Sequence, residues 1–167
     1  MALRASAAAL LIILLPALDA RAEECGREAF ASVVERASAE LSAMNEANKK
    51  RFHEKLQMLK LRAGWSDADF VAQATPFIRD ERIGAFDTQN KLLLAKVPEL
   101  GSAERTVASL ASASPAIGAS ADGRCGMMNE LRGLMASLVE NSRAKWAYMF
   151  GKVDAALEKS GEAKAGQ

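Results

Sequence analysis

The chain has 167 residues, with 22 Lys+Arg set against 21 Asp+Glu and one histidine. That balance gives no global electrostatic reason to bind nucleic acid or an anionic membrane, and a lone histidine cannot supply a multi-histidine metal site. The length suits one domain with a real core.

The first element reads as an address. Arg4 supplies a positive start, Ala7 to Leu15 is uninterruptedly apolar, and Pro16 breaks the helix. Ala20-Arg21-Ala22 then places small residues where a signal peptidase reads. The apolar run falls far short of the roughly 20 residues of a spanning helix. Residues 1–22 are therefore expected to be a cleaved signal peptide, with no stable membrane insertion. Removing Arg4, Asp19 and Arg21 with it leaves 20 charges of each sign, a formally neutral mature chain. Ala- and Arg-rich usage fits a Gram-negative bacterium, and the expected location is periplasmic or secreted. Cys25 and Cys125 both lie in the exported part, where an even pair reads as one disulfide.

The first long helix is expected from Glu24 to about Ala63, a stretch without proline or glycine between Gly26 and Gly64. Phe30, Val34, Ala37, Leu41, Met44, Asn48, Phe52, Leu56 and Leu59 follow a spacing of three or four, close to the ~3.6 of an α-helix. A helix this long must lie along partners of similar length. Gly64 ends it. Ser66 then offers an N-cap, Asp69 the matching N3 carboxylate, and Trp65 with Phe70 a hydrophobic staple, so a second helix is expected from Asp67. Its core positions run through Phe70, Ala74, Phe77, Ile83, Phe86, Asn90, Leu93 and Val97. Pro76 should kink it or restart it, and Pro98 should close it.

Ser102 is placed to cap a short helix through Leu110, and residues 111–121 read as a loose connection within one domain. A last long helix is expected from Asp122 or Gly123, striped by Met128, Leu131, Met135, Leu138, Ser142, Trp146, Met149, Val153 and Leu157. Gly126, Gly133 and Gly151 on it suggest close helix approach, and residues 161–167 a frayed tail. Cys25 and Cys125 stand at the starts of the two long helices. Bridging them brings two helix N-termini together, so those helices must run in the same direction. The expected fold is thus all-α: an elongated up-down-up bundle of three long helices, its second kinked or broken at Pro76, stapled at one end by the Cys25–Cys125 disulfide. The domain is expected to span residues 23–160.

Chemistry is sparse. His53 is set about 100° from the core-facing Phe52 and reads as a solvated side chain. No Cys-x-x-Cys-His is present for covalent haem, and Met44, Met128, Met135 and Met149 fall on core stripes, where Met serves as gap-filler. Asp67 and Asp69 belong to a cap, while Asp80-Glu81 sits among alternating charges typical of an exposed face. Asn48 and Ser142 interrupt the two long stripes at different heights and are not expected to pair. The densest charge is the run Lys49, Lys50, Arg51, Lys55, Lys60 and Arg62, interrupted by Glu46 and Glu54. It reads as a solvated helix face or as a docking strip for an anionic partner.

No catalytic residue, metal site or cofactor is expected. The favoured function is an exported cell-envelope binding, adaptor or chaperone-like protein working through helix faces on another envelope protein. The alternatives are a carrier of a hydrophobic small molecule or metal between the helices and, last, an enzyme. A homodimer through Val33, Ala47 and Leu61 stays open.

Overall fold

The computed structural model describes residues 25–113 and 121–165; the expected signal peptide lies outside them, as do residues 114–120 of the expected loop. Four helices follow in order: α1 (Arg27–Ala63), α2 (Phe70–Ile78), α3 (Glu81–Ala113) and α4 (Ala121–Ala165). Their long members pack on one another in the expected up-down-up path. The Cys25–Cys125 disulfide joins the starts of α1 and α4, with Cα atoms 5.0 Å apart.

α1 stops where Gly64 adopts φ 69°, a left-handed conformation that costs glycine nothing, and the Trp65 N–H donates to the Lys60 carbonyl at 3.0 Å. The Ser66–Asp69 cap forms: the Asp69 N–H donates to Ser66 Oγ at 3.2 Å, and the Ser66 hydroxyl donates to the Asp69 carboxylate at 2.6 Å. Residues 67–69 make this first turn, so the regular helix begins at Phe70 rather than Asp67. Trp65 and Phe70 pack on one cluster, but the ring partner of Trp65 is Phe77, at 6.3 Å.

The second expected helix is broken close to Pro76, as its chemistry suggested, whereas Pro98 ends nothing. Pro76 lies inside α2, and the break falls at Arg79, whose backbone is extended (φ −148°, ψ 110°). Asp80 decides the position, because its Oδ1 accepts the Ile83 N–H at 2.8 Å and starts α3. Pro98 lies inside α3, which runs on to Ala113 and absorbs the short helix expected from Ser102. A proline deletes one backbone donor; here Leu93, Val97 and Leu100 hold both sides of it against the core. Ser102 caps nothing and donates to the Pro98 carbonyl at 2.8 Å. Glu104 continues that stripe and is buried. Residues 111–113 are thus helical, Ala121 opens α4, and helical backbone reaches Ala165, past the expected end near Ser160.

α4 is the hub. It runs parallel to α1, with contacts between Glu40 and Arg143, Asn45 and Trp146, Lys55 and Asp154, and Arg62 and Leu157. It runs antiparallel to α3, with Asp87 meeting Lys145 and Asn90 meeting Ser142. α1 and α3 come close at Gly101, where a Cβ would stand 3.8 Å from the Phe30 ring. Close approach does not account for Gly126, Gly133 or Gly151: a Cβ on any of them would meet nothing within 4 Å. Val33 is half-buried against the core, while Ala47 and Leu61 are exposed.

The core has two parts. At the disulfide end Ala37, Leu93, Leu100, Met128, Leu131, Leu134, Met135 and Leu138 are buried together. At the other end Phe52, Leu56, Leu59, Ala74, Ile83, Met149, Val153 and Leu157 form a second cluster, jacketed by aromatic rings. Between them lies a polar layer. Asn141 Nδ2 donates to Asn90 Oδ1 (2.7 Å) and to the Phe86 carbonyl (2.9 Å), Asn90 Nδ2 to Ser142 Oγ (3.3 Å), and Trp146 Nε1 to Asn45 Oδ1 (2.8 Å). Ser142 therefore finds its partner on α3 and not in Asn48.

Candidate functional site

The helical periodicity of α1 turns Phe52 and Leu56 towards α4, which presents Trp146 and Met149 to them. The Phe52 ring meets Trp146 edge-on at 6.0 Å and Phe150 at 5.7 Å. α2 crosses this pair and ends at Ile78, one residue before the Arg79 break. Ile78 therefore stands over the seam, 49 % exposed, and leaves a groove of about 610 Å³ floored by Phe52, Leu56, Trp146 and Met149. Ligand sites of this kind are mostly apolar clefts of roughly 300–1,000 Å³ with a few polar groups at the edge. Those edge groups are Glu46, Lys49, Lys50, His53 and Glu54, all exposed on α1. His53 faces outward as its offset from Phe52 requires, its Nε2 3.5 Å from Gln57 Nε2. A second hollow of similar size, about 660 Å³, lies between α1 and α4 nearer the disulfide, but the Arg143–Glu40 ion pair sits in its lining.

The structure divides the basic run. Lys55 pairs with Asp154 across the α1–α4 seam. Lys60 pairs with Asp67, holding that carboxyl below its usual range, and its ammonium lies 5.5 Å from the Phe70 centroid. Arg62 Nη1 donates to the Leu157 carbonyl at 3.5 Å. These three cations brace the bundle. Lys49, Lys50 and Arg51 remain exposed: Arg51 lies over the Phe150 ring at 5.2 Å, Lys49 and Lys50 stand on the groove edge, and among the described residues none of the three forms an ion pair.

Asp80 is not part of a solvated charge row. It is half-buried and accepts from Lys152 Nζ, from the Ile83 N–H and from the Tyr148 hydroxyl at 2.9 Å. Lys152 also donates to the Pro76 carbonyl, tying the end of α2 to the start of α3. The Lys152 contact above all, then the Ile83 N–H, hold the Asp80 carboxyl down to about 2; accepting from the Tyr148 hydroxyl, Asp80 raises that phenol. This cluster fixes the crossing that places Ile78.

Met128, Met135 and Met149 are buried in the two clusters, so their thioethers fill core space. Among the described residues no group of three or more His, Cys, Asp or Glu is placed to hold a metal ion, and no helix is long and apolar enough to cross a membrane. Sequence reasoning found the lysines of the groove but not its floor. Phe52, Leu56, Trp146 and Met149 all stand on the expected stripes, and only the crossing of α2 opens the seam between them. No protein-family model, no curated protein and no solved structure matches this chain.

Proposed function

We propose that this chain is an exported binding protein of the cell envelope, periplasmic or secreted, which holds an apolar segment of another molecule in the groove between α1 and α4. The observation that carries the reading is the groove itself, an apolar floor beneath the half-exposed Ile78. Export is supported by the signal-peptide pattern of residues 1–22 and by a Cys25–Cys125 bond suited to an oxidising compartment. Rigid helices on both walls suit a site that is present before its ligand arrives.

Native mass spectrometry of the protein from the envelope fraction of its source, without reduction, tests both halves. The expected species is residues 23–167 less two hydrogens, with reproducible excess mass that Ile78→Ser removes. An intact N-terminus would overturn export. A bare mass, with no uptake of the uncharged dye N-phenyl-1-naphthylamine by the purified protein, would overturn the groove as a binding site.

A further inference from the structure

Resting on that reading, we propose that the α1–α4 groove takes a free single-chain carboxylate amphiphile, its hydrocarbon along the floor beneath Ile78 and its head at Lys49 and Lys50.

The floor favours a slim occupant. Phe52, Leu56 and Met149 are each only 5–6 % exposed, and among the described residues lining the groove Ile78 is the large apolar side chain that stands well into solvent. A protein partner of ordinary size covers about 800 Å² on its side, and a nearly closed floor offers no patch of that extent. A flexible chain can enter a narrow seam that a folded surface cannot. The wall from Glu46 to Leu56 rises about 15 Å at 1.5 Å per residue, a length that suits a medium hydrocarbon chain.

The edge favours one acidic head. Lys55, Lys60, Lys145 and Lys152 are all committed to carboxylates of this chain, whereas among the described residues Lys49 and Lys50 have no ion pair although Glu46 and Glu54 lie within a turn of them. Those two glutamates bracket Lys49, Lys50 and Arg51, whose guanidinium lies over the Phe150 ring at 5.2 Å, and confine the positive ground to one turn of the helix. That geometry accepts a single anion beside an apolar seam and repels an extended polyanion or an anionic bilayer.

The test uses the oxidised full chain and calorimetric titration with laurate below its micelle concentration, with dodecanol as the uncharged match. One laurate per chain is expected, displacing N-phenyl-1-naphthylamine. Lys49→Glu/Lys50→Glu should weaken laurate by roughly tenfold or more, the scale of a lost charge-assisted contact, while dye binding persists and shows the fold intact. Ile78→Ser should weaken both ligands, and Lys91→Glu/Lys96→Glu on α3 neither. Laurate binding no tighter than dodecanol, or indifferent to charge reversal at 49 and 50, would overturn this proposal and leave the groove reading standing. So would preference for vesicles of anionic lipid or for an amphipathic peptide over laurate. Loss of dye binding as well in the native chain would bring down both.

Discussion

The two ends of the bundle close their cores with different chemistry. At the disulfide end the buried side chains are aliphatic or thioether, Phe30 is the ring packed against them, and a covalent bond ties α1 to α4. At the far end Phe52, Trp146, Phe150, Trp65 and Phe77 interlock as ring pairs, and Lys55–Asp154, Lys60–Asp67 and Lys152–Asp80 lace the helices at the edge. Aromatic faces bury large area with defined geometry, so that end can carry an open groove. The aliphatic end carries the cross-link instead. The Asn90–Asn141–Ser142 layer separates them, its half-buried amides and the buried Ser142 hydroxyl bonded to one another, so that sliding would break those hydrogen bonds.

The largest expected effect comes from removing the cross-link. Cys25→Ser/Cys125→Ser frees a loop with a sequence separation of 100, for which chain entropy sets an upper loss of about 4.7 kcal/mol. Urea unfolding measures the loss, and amide exchange should locate it in the first turns of α1 and α4 while the segment around Phe52 and Val153 keeps more protection. Equal loss at both ends would show that the polar layer is no boundary. Phe52→Ala is the reciprocal probe, expected to cost about 3–5 kcal/mol as a large buried ring is deleted, with exchange rising around the groove first. Asn90→Ala strikes the boundary, leaving Ser142 and Asn141 short of partners at about 1–3 kcal/mol; a neutral result would deny the layer a role in register.

The smallest effect is a pH signature at the aromatic end. The Asp80 carboxyl is depressed from 3.8 to about 2, so the folded state favours its ionised form. Its contribution is complete above 3.8 and is lost as pH falls through about 2. The stability difference between wild type and Asp80→Asn should therefore be constant from neutral pH down to about 4 and then close. A difference that persisted unchanged at pH 2 would mean that Asp80 acts through shape alone.

Much of this was legible in the residues. The three-and-four spacing of α1 and α4, the Gly64 stop, the Ser66 cap and the parallel course imposed by Cys25 and Cys125 all follow from local chemistry. The misreadings cluster on α3. Pro98 looked like an end because its own cost is local, whereas the packing that carries helix through it comes from α4. Taking Ser102 as a new start hid Glu104, which falls on one stripe with Val97 and Leu100. Asp80 looked solvated because Tyr148 and Lys152, its partners, lie 68 and 72 residues away in the chain. The groove shared this fate, since its edge was visible in α1 alone and its floor needed α1 and α4 together beneath the end of α2.

The bond between Cys25 and Cys125 also makes the molecule a lariat. Residues 25–125 close into a covalent ring, and residues 126–165 leave it as a free arm that doubles back as the axis on which the ring's own helices pack. A protease that cuts the ring once adds one water and releases no fragment. The nicked chain would travel as one species until a thiol reductant parted it.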